Sequence, residues 1–213
     1  MQTILCYGDS ITWGFNPADG TRLPFDQRWP GILQLELGNS IRVVEESLMG
    51  RTTNWDSPFF PDRNGQKMLG ALLESHSPID IFILMLGTND LWKSFNFTSS
   101  DIVAGCLSLI WTVQRSNCGP RLGVPEILLI SPPPLGKLSK FMGVFFEGRQ
   151  GVSKELGKSY EEAAKFSGCH FLDSSKYVKV SKVDGVHLEA PEHTKLAKAV
   201  IKLVSSIMKI DKK

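Results

Sequence analysis

Long apolar runs are missing from this sequence. The longest nearly uncharged one, Ile81 to Leu86, falls far short of the ~20 residues an α-helix needs to cross a bilayer, so no membrane span is expected. Charge of one dominant sign is missing as well: 24 Lys and Arg stand against 22 Asp and Glu, a net charge of +2. Such a balance creates no field that would draw nucleic acid or another polyanion. Cysteine is scarce and scattered. Cys6, Cys106, Cys118 and Cys169 form no Cys-x-x-Cys pair, and three of them fall in or beside apolar periodic stretches, so they read as reduced packing residues. The opening Met1-Gln2-Thr3-Ile4-Leu5-Cys6-Tyr7 lacks the basic start and long apolar stretch of a signal peptide. A cytoplasmic protein is expected, although in a secreted chain the even cysteine count would allow two bridges.

Several enzyme signatures are also absent. No Gly-x-Ser-x-Gly elbow occurs, which argues against the α/β-hydrolase fold. Gly143 to Arg149 has the spacing of a phosphate loop, but Arg149-Gln150 stands where Lys followed by Ser or Thr is required. No His-Glu-x-x-His helix exists, and His187 and His193 are separated by Pro191, unsuited to ligating from one helix face. Neither a metal nor a cofactor is expected.

What is present is enough for one sizeable core: 213 residues, 42% of them hydrophobic, predict a single domain over 1–213. Five apolar runs have strand length: Thr3 to Tyr7, Val43 to Ser47, Ile79 to Leu86, Glu126 to Ser131 and His170 to Leu172. Helical patterns alternate with them at Arg28 to Leu37, Gln66 to Glu74, Ser100 to Arg115, Val152 to Phe166 and Pro191 to Met208. Runs such as Ile81-Phe82-Ile83-Leu84-Met85-Leu86 are apolar on both faces, as interior strands of a parallel sheet must be. The prediction is an α/β fold, a three-layer α/β/α sandwich around a mainly parallel five-stranded sheet. Two connections are long, Phe15 to Gln27 and Pro132 to Gly151, and their aromatics suit lids, pocket walls or contact surfaces. The ending Ile210-Asp211-Lys212-Lys213 reads as a frayed, solvated tail.

In a parallel sheet the ligand crevice lies beyond the carboxyl ends of the strands, so chemistry is sought there. Gly8-Asp9-Ser10 follows the first run, and its glycine allows a tight turn that would set a serine at the mouth. A serine hydroxyl is inert near neutral pH without a base. Of the four histidines, His76, His170 and His193 occupy positions with ordinary structural explanations. His187 stands in Asp184-Gly185-Val186-His187 just before the last helix, where one turn of chain would bring the Asp184 carboxylate against its imidazole. A polar turn leading into a helix explains the same four residues equally well. Donors for an oxyanion are offered by Gly50, after the second run, and by Asn89, after the third; each taken singly also fits an ordinary turn.

Taken together, these blocks resemble those of the GDSL-type, or SGNH, hydrolases, in the family's order and over nearly the whole chain. Ser10, Gly50, Asn89 and the pair Asp184 and His187 match the family's serine, glycine, asparagine and Asp-x-x-His. Ile11 replaces the leucine of the family name, a volume-conserving change. The words Gly8-Asp9-Ser10-Ile11-Thr12-Trp13-Gly14, Arg51-Thr52-Thr53-Asn54 and Met85-Leu86-Gly87-Thr88-Asn89-Asp90 are similar to the bacterial arylesterase and acyltransferase branch, as is Ser131-Pro132-Pro133-Pro134. The resemblance implies a flavodoxin-like fold, hydrolysis of short-chain and aryl esters, acyl transfer to alcohols or peroxide, and a homo-oligomer. In that reading Ser10, Asp184 and His187 are catalytic, and Ser10, Gly50 and Asn89 form the oxyanion hole. Ile11, Thr12, Trp13, Asn54, Trp92 and Val186 follow the catalytic blocks and are candidates for the acyl or alcohol site, although packing explains an aromatic such as Trp92 as well. A thioesterase or lysophospholipase on the same fold is the alternative, and a silent binding protein a third class.

Overall fold

The computed structural model describes residues 1–209, so the expectation of a frayed tail at Ile210 to Lys213 lies outside the described residues. The chain runs β1 (Gln2–Gly8), α1 (Ser10–Trp13), α2 (Trp29–Leu37), β2 (Ile41–Ser47), α3 (Gly65–His76), β3 (Ile81–Met85), α4 (Ser99–Gln114), β4 (Glu126–Ser131), α5 (Lys140–Phe146), α6 (Gln150–Ser167), β5 (His170–Asp173) and α7 (Ala190–Ile207). All five strands are parallel, in the order β2-β1-β3-β4-β5. The α/β/α sandwich expected from alternating apolar runs is the fold observed.

The period-2 alternation of strand side chains builds its two cores. Leu5, Tyr7, Phe82, Leu84 and Leu129 point to one face and pack against α3, α4 and α6. Ile4, Cys6, Ile81, Ile83 and Ile130 point to the other and meet α2 and α7. Burial on both faces is why these runs carry no alternating polar residues. Cys6, Cys106 and Cys118 are buried and Cys169 half-buried, all unbridged. Among the described residues no helix is long and apolar enough to cross a membrane.

The strand order reverses direction at β1, since β2 lies on one side of it and β3 on the other. Gly8 pairs with Ser47 and with Met85, so β1, β2 and β3 end level with one another. The segments leaving those three ends therefore emerge side by side, at the switch point where open α/β sheets place their crevice.

Both long connections are folded. In the first, Leu23 N–H donates to Gly14 C=O (2.7 Å) and Arg22 bonds the Trp13 carbonyl (2.8 Å) and Glu45 (2.8 Å), which holds the segment against α1. The second contains α5, a helix the sequence patterns above do not include. Ser139 caps it by accepting the Met142 N–H (3.2 Å), and Met142, Phe145 and Phe146 line up at i, i+3 and i+4 on one face.

Candidate active site

Ser10 is delivered to the mouth of the sheet by an abrupt turn from β1 into α1. Gly8 makes the turn possible, because a Cβ there would lie 2.1 Å from Thr12 Oγ1. Asp9 caps the new helix by accepting the Ile11 N–H (2.9 Å).

His187 approaches from the loop before α7. Its Nε2 lies 2.9 Å from Ser10 Oγ, and its Nδ1 lies 2.6 Å from Asp184 Oδ2. The other Asp184 oxygen accepts the backbone N–H groups of Val186 (2.8 Å) and His187 (3.0 Å). Burial pushes the Asp184 pKa up, but the bond to His187, the charge on that ring and the two N–H donors outweigh it and hold the pKa below its ordinary value. An ionised carboxylate only accepts, so Nδ1 carries the proton and Nε2 is left to accept from Ser10 O–H.

The loop holding this pair is pinned from outside. Ser181 N–H donates to the His187 carbonyl (2.7 Å), Ser139 N–H to that of Asp184 (3.1 Å) and Gly136 N–H to that of Gly185 (2.8 Å). Gly185 has φ +80°, and a Cβ on it would meet the Lys137 carbonyl at 2.4 Å, so the crossing requires glycine. The Phe15 ring packs over the imidazole with centroids 4.2 Å apart.

Gly50 and Asn89 reach the same place from β2 and β3. Gly50 adopts φ +75° in the turn Leu48 to Arg51, and its N–H has no acceptor among the described residues. Asn89 Nδ2 donates one hydrogen to the Arg51 carbonyl (2.9 Å), which leaves the second for a ligand. Ser10, Gly50, Asn89 and His187 border one cavity of about 210 Å³. Its remaining wall is apolar and comes from Phe15, Met49, Phe60, Trp92, Val186 and, on α5, Phe141, Met142, Phe145 and Phe146. Clefts of about 640 and 720 Å³ lie around Lys137, but neither brings the serine, histidine or asparagine together.

The six expected acyl or alcohol contacts divide. Trp92 and Val186 lie on the cavity wall; Trp92 also packs against Phe59, Phe95 and Phe145, so it serves both as wall and as core. Ile11, Thr12, Trp13 and Asn54 do not line the cavity. Once Ser10 starts α1, each following residue turns about 100° further round the helix. Ile11 enters the core with Trp29 and Leu33, and Thr12 is fully buried. Trp13 lies under the Arg22 guanidinium, 5.1 Å away. The side-chain oxygen of Asn54 is buried beside Gly105 of α4, while its backbone carbonyl accepts from Asn64 Nδ2 (3.0 Å). The residues that do form the wall include Phe15 and Met49, one turn beyond Ser10 and directly before Gly50, a proximity that the sequence displays without giving direction.

The remaining histidines are accounted for by their packing. His76 pairs with Glu46 (2.7 Å) and His170 with Glu126 (3.2 Å). His193, fully buried on α7, accepts the Trp29 N–H at Nδ1 (3.3 Å) while its Nε2 has no partner. Burial, assisted by the charge of His187, lowers its pKa from 6.5 to about 4. The unfolded chain therefore binds a proton between those values while the folded chain does not. The stability contributed is complete above pH 6.5 and is lost as pH falls toward 4. His193→Gln should flatten that acid-side decline by up to about 1.4 kcal/mol per pH unit, read from urea unfolding at a series of pH values; an unaltered slope would refute the assignment.

The GDSL-like Lipase/Acylhydrolase family model matches residues 6–193. No curated protein matches the chain. Among solved structures, the inhibitor-bound aryl esterase of M. smegmatis is 36% identical, with 97% of this chain and 100% of that one covered and a TM-score of 0.93. A carbohydrate acetylesterase family member from Sinorhizobium meliloti is 34% identical, with 99% and 100% covered and a TM-score of 0.93. A lipolytic G-D-S-L family protein from Veillonella parvula, 15% identical over 96% of this chain and 99% of that one, shares the fold at a TM-score of 0.70. Sheet topology and sequence agree on an SGNH-type hydrolase. The chain belongs to the GDSL-like lipase/acylhydrolase family and is a carboxylic ester hydrolase.

Proposed function

We propose that this chain is a serine esterase for short-chain or aryl carboxylic esters, with Ser10 as nucleophile, His187 as general base and Asp184 holding the imidazole. One observation carries the reading: a continuous line of hydrogen bonds from Asp184 through His187 to Ser10, at 2.6 and 2.9 Å, that opens into an apolar cavity. Ser10 Oγ attacks the ester carbonyl as His187 Nε2 takes its proton. The oxyanion that develops is held by Ser10 N–H, Gly50 N–H and Asn89 Nδ2. Asp184 stabilises the imidazolium, which then protonates the departing alcohol. Water, or an alcohol, is activated by the same nitrogen to release the acyl group from Ser10. No metal or cofactor enters this cycle.

The test is covalent. A fluorophosphonate should add to the chain once, with the adduct on Ser10 in the peptide map and none formed by Ser10→Ala. Labelling of another serine, with Ser10 free, would overturn the assignment.

The cavity supports the substrate class. Its volume of about 210 Å³ is below the ~300 Å³ at which pockets for drug-sized ligands begin, and no Asp, Glu, Lys or Arg side chain lines it. Among relatives, one is named an aryl esterase and one a carbohydrate acetylesterase family member; the apolar wall favours a neutral, hydrophobic ester. With p-nitrophenyl esters, kcat/KM for acetate and butyrate should exceed that for decanoate by at least about tenfold, a difference of about 1.4 kcal/mol. A decanoate turned over fastest would refute the small acyl site.

Two further expectations belong to this reading. The exposed Phe59, Phe60, Phe141 and Val144 near the mouth support a homo-oligomer, and sedimentation as a monomer at micromolar concentration would remove that support. Four unbridged cysteines favour a cytoplasmic location.

A further inference from the structure

Arg51 is a buried cation with no carboxylate at ion-pair distance among the described residues. Burying a charge is costly unless it is well paired, so its position calls for an explanation. The guanidinium spends its donors on backbone. Nη1 bonds the Gly8 carbonyl at the end of β1 (3.1 Å) and the Glu46 carbonyl in β2, and the group lies 4.2 Å over the face of Tyr7.

Those contacts fix the turn that bears one oxyanion donor. Leu48 N–H also donates to the Gly8 carbonyl (3.2 Å), and Arg51 N–H closes the turn onto Leu48 C=O (3.0 Å). Both ends of the Leu48–Arg51 turn are thus tied to one carbonyl, two residues before Ser10. Gly50 sits between the ties at φ +75°. The Arg51 carbonyl in turn accepts from Asn89 Nδ2 (2.9 Å), which orients the second donor.

We propose that Arg51 is a positioning residue for the oxyanion hole, aiming the Gly50 N–H and the Asn89 amide at one point by anchoring their turn to the strand that delivers Ser10. The proposal rests on the esterase reading above. Arg51 touches neither substrate nor the reacting atoms; it acts on the direction of donors whose misplacement by about 1 Å can cost 10²-fold. Such an effect appears in the transition state and leaves ground-state binding alone.

The experiment is a double-mutant cycle on hydrolysis of p-nitrophenyl acetate with Arg51→Met, Asn89→Ala and the pair. Asn89→Ala should lower kcat by about 10²-fold. Arg51→Met should lower it by about 30-fold or more with KM changed by less than about threefold, and the same substitution in the Asn89→Ala background should cost clearly less than in the wild type, the share carried by the Gly50 N–H remaining. Affinity for butylboronic acid, which forms a tetrahedral adduct on a nucleophilic serine, should fall in step with kcat. Arg51→Lys, whose one ammonium nitrogen can bond the same carbonyls as Nη1 but lacks the planar group over Tyr7, should recover part of the loss, and it decides the matter by the same measurements if Arg51→Met does not fold. The proposal is overturned if KM rises while kcat holds, or if the full Arg51 effect survives without Asn89. If Asn89→Ala alone leaves kcat unchanged, it is the oxyanion assignment that falls.

Discussion

Ser10→Ala is expected to lower kcat for p-nitrophenyl acetate by about 10⁶-fold, the loss seen when a serine hydrolase loses its nucleophile, while the protein stays folded. The two halves of that expectation have separate causes. Ser10 Oγ bonds only His187 Nε2, so removing it breaks one hydrogen bond, worth about 0.5–1.5 kcal/mol, and leaves the Asp9 cap on α1 in place. The chemistry, in contrast, has no substitute. The other hydroxyl in the turn belongs to Thr12, which is fully buried and packs against Gly8. Stopped assays with long incubation measure the rate, and thermal unfolding measures the fold. A variant that keeps more than a hundredth of wild-type kcat with an unchanged melting temperature would exclude Ser10 as the nucleophile.

The blocks that meet at this serine are legible in the sequence because a parallel sheet converts order along the chain into position. Each apolar run buried on both faces ends in a loop on one edge, so Ser10, Gly50 and Asn89, each shortly after a run, emerge side by side. Asp184 and His187 are legible for a different reason: three residues of chain can close one turn, and the Asp184 oxygen that accepts two N–H groups does close it. The cavity wall is far less legible. Adjacency to Ser10 assigned Ile11, Thr12 and Trp13 to the substrate, but a helical turn sends consecutive residues in different directions, into the core or under Arg22. The aromatics of Pro132 to Gly151 suggested a wall or a contact surface, yet α5, at seven residues, is too short for its apolar period to be distinguished from loop composition. Arg51 illustrates the limit. Its neighbours in sequence are turn residues, and its two carbonyl partners depend on where β1 and β2 end.

The second large effect concerns the residue that sets the proton on His187. Asp184→Asn is nearly isosteric, and for that reason it should be as damaging as Asp184→Ala. One carboxylate oxygen accepts the N–H groups of Val186 and His187, and in asparagine only the carbonyl oxygen can take over that duty. The amide NH₂ must then face His187 Nδ1, 2.6 Å away in the native site. Two donors cannot share that contact, so Nδ1 gives up its proton to become the acceptor and Nε2 acquires it. With Nε2–H pointing at Ser10 Oγ, the base can no longer accept the serine proton. The loss in kcat should be about 10⁴-fold near neutral pH, with KM changed by less than about threefold and the loop intact. Asp184→Ala also removes the counter-charge that stabilises the imidazolium, but leaves the ring free to adopt either tautomer. Measuring both variants on one ester separates the causes. If asparagine retained activity within about tenfold of wild type, the tautomer argument would be wrong, and Asp184 would be holding the loop rather than the proton.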